Sequence, residues 1–117
     1  MLKPGEAWGF ANALPDAAEV ERRCKTSRLY YAAFHHARAV STVMTPERRH
    51  RDFWLALATG DAQHKLLSRN GRMLLTLRTK ADYRIDEDFT ALDMENVRDL
   101  ARAIAENIEA VQYSNGA

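Results

Sequence analysis

The sequence predicts an all-α protein, folded as an antiparallel bundle of four to five helices. Three observations favour this class. No Gly or Pro interrupts the chain between Ala17 and Met44, apolar residues recur at helical spacing, and no segment alternates polar and apolar residues as a strand does. A chain of 117 residues is the size of one domain, so we expect residues 1–117 to form a single helical domain.

The N-terminal segment predicts a short first helix. Residues Leu2 to Leu14 contain Trp8 and Phe10 and are followed by Pro15. We expect this helix to pack its aromatic pair beneath the bundle.

The second helix is predicted to be the longest and to lie at the centre of the bundle. It begins near Asp16 and ends before Thr45-Pro46, because proline cannot continue a helix. One apolar stripe comprises Val20, Cys24, Tyr31 and Phe34. A nearly opposite stripe comprises Leu29, Ala33, His36 and Val40. Two stripes predict two packing partners, either two layers of the bundle or one layer and a dimer partner.

Two further helices are predicted in the second half of the chain's basic region. Asp52 to Ala58 is typical of a short amphipathic helix. Asp61 can cap the next helix, which extends to about Ala81. Asn70-Gly71 lies in its middle, so a break into two pieces is an open alternative.

The last helix is predicted from about Leu92 or Asp93 to Tyr113, after an acidic linker from Tyr83 to Phe89. A regular apolar stripe marks its inner face: Val97, Leu100, Ile104, Ile108 and Val111.

Charge is strongly segregated along the chain, although the net charge is only +1. Residues 22–84, the central basic segment, contain 14 Lys and Arg against 4 Asp and Glu, whereas residues 1–21 carry −3 and residues 85–117 carry −6. The acidic last helix could simply neutralise its neighbours. The equally favoured alternative is a basic surface for RNA, with phosphate contacts from Arg28, Arg48, Arg49 and Arg51.

Several classes of protein are not supported. The histidines lack metal-binding spacing, and we find no nucleotide-binding loop or nucleophile elbow, so neither a metal nor a cofactor is predicted. No apolar run is long enough for a membrane span and no signal peptide is evident, which makes a cytoplasmic location the expectation. The single Cys24 fits a reducing compartment.

Two polar features stand out on the predicted helices. Arg28 and His35 share one face of the second helix, two turns apart, and either line a ligand site or pack against a partner helix. Arg78 continues the apolar face of the fourth helix, and Asp82, one turn later, can form an ion pair with it. His36 is expected to be a hydrogen-bonded core or interface residue.

Two sequence blocks carry a resemblance to a known family. The first reads S-R-x-Y-Y-A-A-F-H from Ser27 to His35, and the second reads L-R-x-K-A-D-Y from Leu77 to Tyr83. Blocks of this type in this order resemble the HEPN superfamily of small helical prokaryotic proteins. The resemblance implies a homodimer and an RNA-associated role in a toxin-antitoxin, stress or defence module, beside a separate nucleotidyltransferase or antitoxin partner.

The resemblance also implies catalytic residues. Active HEPN proteins use an Arg, then a short spacer and a His, to cleave RNA without a metal. Arg78 matches the arginine, but the position five residues later is Tyr83, and no histidine follows it in the chain. The catalytic candidates are therefore Arg78, Tyr83 and His35, with Tyr31 and Asp82 as structural support.

Two other functions compete with RNA binding. One is a non-catalytic protein-interaction module in which Arg28, Arg78 and Asp82 are structural. The other is a nucleotide pocket lined by Tyr30, Tyr31, His35 and Arg78.

Overall fold

The computed structural model describes residues 1–41 and 49–116. These ranges contain no strand and five helices: α1 (Pro4–Ala13), α2 (Glu19–Val40), α3 (His50–Leu57), α4 (Ala62–Tyr83) and α5 (Ala91–Gly116). The predicted all-α bundle is confirmed. The second helix ends at Val40, where Ser41 adopts an extended conformation, ahead of the stop predicted at Thr45-Pro46. Thr45, Pro46 and the predicted phosphate contact Arg48 lie outside the described residues.

Packed helices alternate in direction around α2 and α4. In each pair of helices, the later residues of one contact the earlier residues of the other. Between α1 and α2, Lys25 contacts Asn12 and His36 contacts Trp8. The corresponding contacts are Arg23 with Ala81 and Tyr31 with Arg78 between α2 and α4, and Asn70 with Asn107 and Lys80 with Asp93 between α4 and α5. The second helix contacts α1, α4 and α5, which agrees with the prediction that it lies at the centre of the bundle. The prediction that it is the longest helix is wrong for the described residues, because α5 has 26 residues and α2 has 22.

Two cations on α2 hold the ends of neighbouring helices. The last carbonyl groups of a helix have no partner within it and carry partial negative charge. Arg23 donates from Nη1 to the carbonyls of Lys80 and Ala81 at 3.1 and 3.0 Å, at the end of α4. Lys25 donates to the carbonyls of Asn12 and Leu14 at 3.1 and 2.9 Å, at the end of α1. This pairing explains how Lys25 can be buried.

The start of α2 corrects one predicted stripe. Val20 and Cys24 are exposed rather than packed. The first turns of α2 bind the rest of the bundle through Arg22 and Arg23 instead, and Arg22 donates from Nε to the carbonyl of Phe89 at 3.0 Å. At this end of α2, hydrogen bonds from arginine side chains to backbone carbonyls therefore take the place of apolar packing.

The aromatic pair of α1 is also split. Trp8 packs against the core and donates from Nε1 to Nδ1 of His36 at 3.0 Å. Phe10 is 61% exposed. The prediction that His36 is a hydrogen-bonded core or interface residue is confirmed. The prediction for Phe10 is wrong, because its side chain lines an open groove between α1 and α2 instead of packing beneath the bundle.

Gly71 shows why α4 continues without a break. A Cβ at this position would lie 2.0 Å from the indole ring of Trp54, which is fully buried. Glycine is required here because the aromatic ring packs directly on the helix backbone. Asn70 also has a partner across the bundle, since its amide donates to Asn107 at 2.8 Å. Asn70-Gly71 is thus a packing site, and the alternative of a broken helix is wrong.

We expect Gly71→Ala to destabilise the protein by about 1 to 3 kcal/mol, because the added methyl group overpacks the Trp54 site. Urea unfolding measures the change. Gly9→Ala is the matched control, since a Cβ at Gly9 meets nothing within 4 Å and alanine is the better helix former. A Gly71→Ala variant as stable as the Gly9→Ala variant would contradict this account of the packing.

Candidate functional site

Arg78 of α4 is held in place by two polar partners. Its side chain is 12% exposed, its Nη2 donates to the Tyr31 hydroxyl at 2.7 Å, and its Nε lies 2.9 Å from Oδ2 of Asp82. The contact with Asp82 is an ion pair without the angle of a directed hydrogen bond. Ser27 donates its hydroxyl to the same Asp82 oxygen at 3.3 Å. The predicted pairing of Arg78 with Asp82 is confirmed.

Three tyrosine rings surround the guanidinium of Arg78. Its Cζ lies 5.7, 5.2 and 5.3 Å from the ring centres of Tyr30, Tyr31 and Tyr83. Tyr83 is 67% exposed, so it forms the solvent side of this enclosure. Because an arginine has five N–H donors, the two contacts with Tyr31 and Asp82 leave others available to an anion.

His50, at the start of α3, is the residue of this site that sequence reasoning missed. Its Nδ1 lies 2.8 Å from the hydroxyl of Tyr30, which also accepts a hydrogen bond from Nε1 of Trp54 at 2.9 Å. Burial lowers the pKa of His50, and the positive charge of Arg78 lowers that pKa further. The imidazole is therefore mainly neutral at neutral pH.

The Tyr30 hydroxyl can support either neutral tautomer of His50. Burial raises the pKa of Tyr30, so the phenol keeps its proton. A phenol accepting from Trp54 can donate to Nδ1 or accept a second hydrogen bond from it. Nε2 of His50 is thereby able to act as an acid or as a base without losing its orientation.

Tyr31 brings the histidines and the arginine together. The His50 ring lies edge-on to Tyr31 at 5.7 Å, and the exposed His35 ring is stacked against it at 6.1 Å. Phe34 lies beneath both imidazoles, 4.1 Å from His50 and 5.3 Å from His35. We call this group from α2, α3 and α4 the Arg78 cluster: Tyr31, His35, His50, Arg78, Asp82 and Tyr83.

The predicted phosphate contacts occupy two surfaces beside the Arg78 cluster. Arg28 is exposed and lines a groove between α1 and α2, together with Tyr31 and His35. Arg49 and Arg51 are exposed at the start of α3. Arg51 lines a separate groove of about 610 Å³ that also includes Lys80 and Arg84 of α4.

The predicted nucleotide pocket does not form as expected. Tyr30 is fully buried in the core and cannot line a pocket. Tyr31 and His35 do line a groove, but the arginine beside them is Arg28. Arg78 reaches the same tyrosine from the side of α4.

A sequence signal for His50 does exist. His50 and Trp54 are one helical turn apart, so both can reach a single residue of a neighbouring helix. That residue is Tyr30. Recognising it requires knowing that α3 packs with this face against α2, which the spacing alone does not show.

Within residues 1–41 and 49–116, no group of three or more His, Cys, Asp or Glu is placed to hold a metal ion. None of the helices in these ranges is both long and apolar enough to cross a membrane. The Arg78 cluster itself supplies guanidinium, imidazole, phenol and carboxylate groups.

Comparison with known proteins identifies no relative of this chain. No family model matches it, and neither a curated protein nor a solved structure does.

We expect the protein to lose stability as the pH falls from about 7.5 to about 5.5. Burial lowers the pKa of both His36 and His50. The unfolded chain therefore binds more protons than the folded chain once the pH falls below about 6.5, and protonation favours unfolding. Asp61, whose pKa is lowered chiefly by the backbone N–H of His64, titrates at lower pH.

Urea unfolding at several pH values measures this effect. In His36→Gln the amide oxygen can still accept from Trp8, so the variant should fold and show a smaller fall in unfolding free energy across this range. Identical pH dependence in the variant and the wild type would contradict a contribution from His36.

Proposed function

We propose that this chain binds RNA through the Arg78 cluster and the cations beside it. The observation that carries the proposal is the position of Arg78, which three tyrosine rings and Asp82 hold in place. One of these rings, Tyr31, is also in contact with His35 and His50. A fixed guanidinium suits a phosphate, and exposed aromatic rings suit unpaired bases. RNA offers both groups side by side.

The distribution of ion pairs supports this proposal over simple charge neutralisation. Among the acidic residues of α5, only Asp93 pairs with a described cation of the central basic segment, namely Lys80 at 2.9 Å. Asp99 pairs within α5, with Arg102. Seven cations of the basic segment form no ion pair within the described ranges: Arg22, Arg28, Arg49, Arg51, Lys65, Arg69 and Arg72. Unneutralised cations attract a polyanion.

The groove beside α3 offers a path for the RNA backbone. Arg51, Lys80 and Arg84 line it, together with Thr76 and Thr79. Arg51 and His50 are adjacent in the first turn of α3, so this groove and the Arg78 cluster share that turn. Phosphate contacts of this kind contribute affinity without reading sequence.

Membership of the HEPN superfamily is part of this proposal. It rests on the two sequence blocks, whose residues Tyr31, His35, Arg78 and Asp82 meet between α2 and α4. A homodimer, a cytoplasmic location and a partner chain with nucleotidyltransferase or antitoxin activity remain predictions of that resemblance.

A protein-interaction module is the second candidate. The observation in its favour is that Arg78 already has structural partners in Tyr31 and Asp82. In that case the arginine stabilises the packing of α2 against α4 and binds no ligand.

We expect salt-sensitive binding of generic RNA at low ionic strength. Replacing both Arg49 and Arg51 with Gln should weaken binding and lower the slope of log affinity against log salt by about 1.4, since each phosphate contact on a single strand contributes about 0.7. Arg102→Gln removes one positive charge from α5 and is the control for each of the two substitutions made singly. Fluorescence anisotropy over a salt series measures the slope.

Arg78→Lys separates the two candidate functions in the same assay. A folded Arg78→Lys variant with weakened RNA binding is the result that the RNA proposal predicts. If wild type shows no salt-sensitive binding, the RNA proposal is wrong. Unchanged RNA binding together with a large loss of stability would assign Arg78 to the interaction-module role.

Cleavage of RNA is the reaction that this arrangement suits. The Nε2 atom of His50 takes the proton of a 2′-hydroxyl, and the 2′-oxygen then attacks the adjacent phosphorus. The bond from phosphorus to the 5′-oxygen breaks, and His35 or water protonates the leaving oxygen. The products are a 2′,3′-cyclic phosphate and a 5′-hydroxyl. Arg78 stabilises the charge that develops on the phosphate oxygens.

We expect His50→Gln to slow this cleavage by at least about 100-fold, because proton transfer by a positioned side chain contributes about that factor or more. RNA binding should change little. His36→Gln is the control, since His36 lies at the contact of α1 with α2. Gel analysis of product ends measures the reaction, and equal rates in the two variants would rule out His50 as the acid-base group.

A further inference from the structure

A groove of about 750 Å³ lies between α1 and α2, beside the Arg78 cluster. Its apolar surface is formed by Leu2, Ala7, Phe10 and Ala32. Pockets of roughly 300 to 1,000 Å³ with mostly apolar walls and a few polar groups are typical of sites for small ligands or for single groups of larger ones. We call it the α1–α2 groove.

Arg28 gives this groove an unneutralised positive charge. The side chain is exposed, and no acidic side chain forms an ion pair with it in the part of the chain that the structure describes. Glu6 also lines the groove, but its carboxylate accepts from the backbone N–H of Lys3 at 3.4 Å. The groove therefore combines apolar walls with the N–H donors of Arg28, and it favours a ligand that combines an apolar body with hydrogen-bond acceptors.

Tyr31 connects the groove to Arg78. Its ring lines the α1–α2 groove, and its hydroxyl accepts the hydrogen bond from Arg78. His35 lines the groove next to it and stacks on its ring. A phosphate at Arg78 and a flat group in the groove would thus lie at the two ends of the same tyrosine side chain.

We propose that the α1–α2 groove receives an unpaired base of single-stranded RNA while the neighbouring phosphate contacts Arg78. This inference rests on the proposed RNA-binding function and adds the strandedness of the RNA. Phe10 and Tyr31 offer aromatic surfaces on which a base can stack, and Arg28 contacts the base edge or the next phosphate. A duplex cannot occupy the groove, because its bases are paired and stacked within the helix.

The test compares the affinity for a short single-stranded oligoadenylate with that for the same strand annealed to its complement. We expect wild type to bind the single strand at least about tenfold more tightly, in line with the energy of stacking one base. Ala7→Met fills the groove, and Arg28→Gln removes its charge without filling it. Each variant should weaken single-strand binding at least about fivefold. Ala7→Met, which removes no charge, should leave duplex binding nearly unchanged, and Arg28→Gln should weaken duplex binding less than single-strand binding.

Two matched variants control for indirect effects. Ala13→Met adds the same side chain at an exposed position of α1 that does not line the groove, and Arg102→Gln removes a charge from α5. Both should bind the single strand as wild type does. Circular dichroism confirms that every variant retains its helices, and Arg28→Gln decides the outcome if Ala7→Met unfolds.

The possible results separate this inference from the proposed function. Salt-sensitive binding that is equal for the two RNA forms, and unaffected by Arg28→Gln, would overturn the base site while the basic surface stands. A failure of wild type to bind either RNA would overturn both. Loss of single-strand binding in Arg28→Gln, but not in Arg102→Gln, is the result that supports the groove.

Discussion

The guanidinium of Arg78 is the group around which α2, α3 and α4 are arranged. A charge on a side chain that is only 12% exposed requires compensation. Asp82 supplies the opposite charge from the same helix, and Tyr31 supplies an acceptor from α2. Because the arginine must meet both, α4 is fixed against α2 in one register. His35 meets the same Tyr31 ring from one turn further along α2, and His50 meets it from α3. The residue that anchors Arg78 is therefore also the centre of the candidate site.

The local sequence was sufficient to predict the features of the fold that depend on interactions within a single helix. The number of helices follows from the breaks between apolar stripes, and Asp61 does cap α4, where its carboxylate accepts from the backbone N–H of His64 at 3.0 Å. The ion pair of Arg78 with Asp82 follows from a spacing of one turn. Each of these features depends on residues that are close together in the sequence. Rules of periodicity and capping can therefore predict them.

The remaining features depend on contacts between distant helices. Gly71 suggested a break until Trp54 was found packed on it, and nothing near Gly71 in the chain specifies that ring. Val20 was predicted to be buried because it lies on the same stripe of α2 as Tyr31 and Phe34. At this end of α2, however, Arg22 binds the carbonyl of Phe89 and Arg23 binds the end of α4. His50 joins the site through Tyr30, Tyr31 and Phe34, which are all at least sixteen residues away in the chain. Helical periodicity identifies which residues share a face, but not which partner that face meets.

The most direct test of the central claim is to map where RNA contacts the protein. NMR chemical shifts of the isotope-labelled chain, titrated with a short single-stranded RNA at low salt, report each contact separately. Our account predicts the largest changes at Tyr31, His35, His50 and the Arg78 side chain, with smaller changes at Arg51. Changes confined to the acidic face of α5, or no changes at all, would contradict the claim that these helices assemble an RNA site.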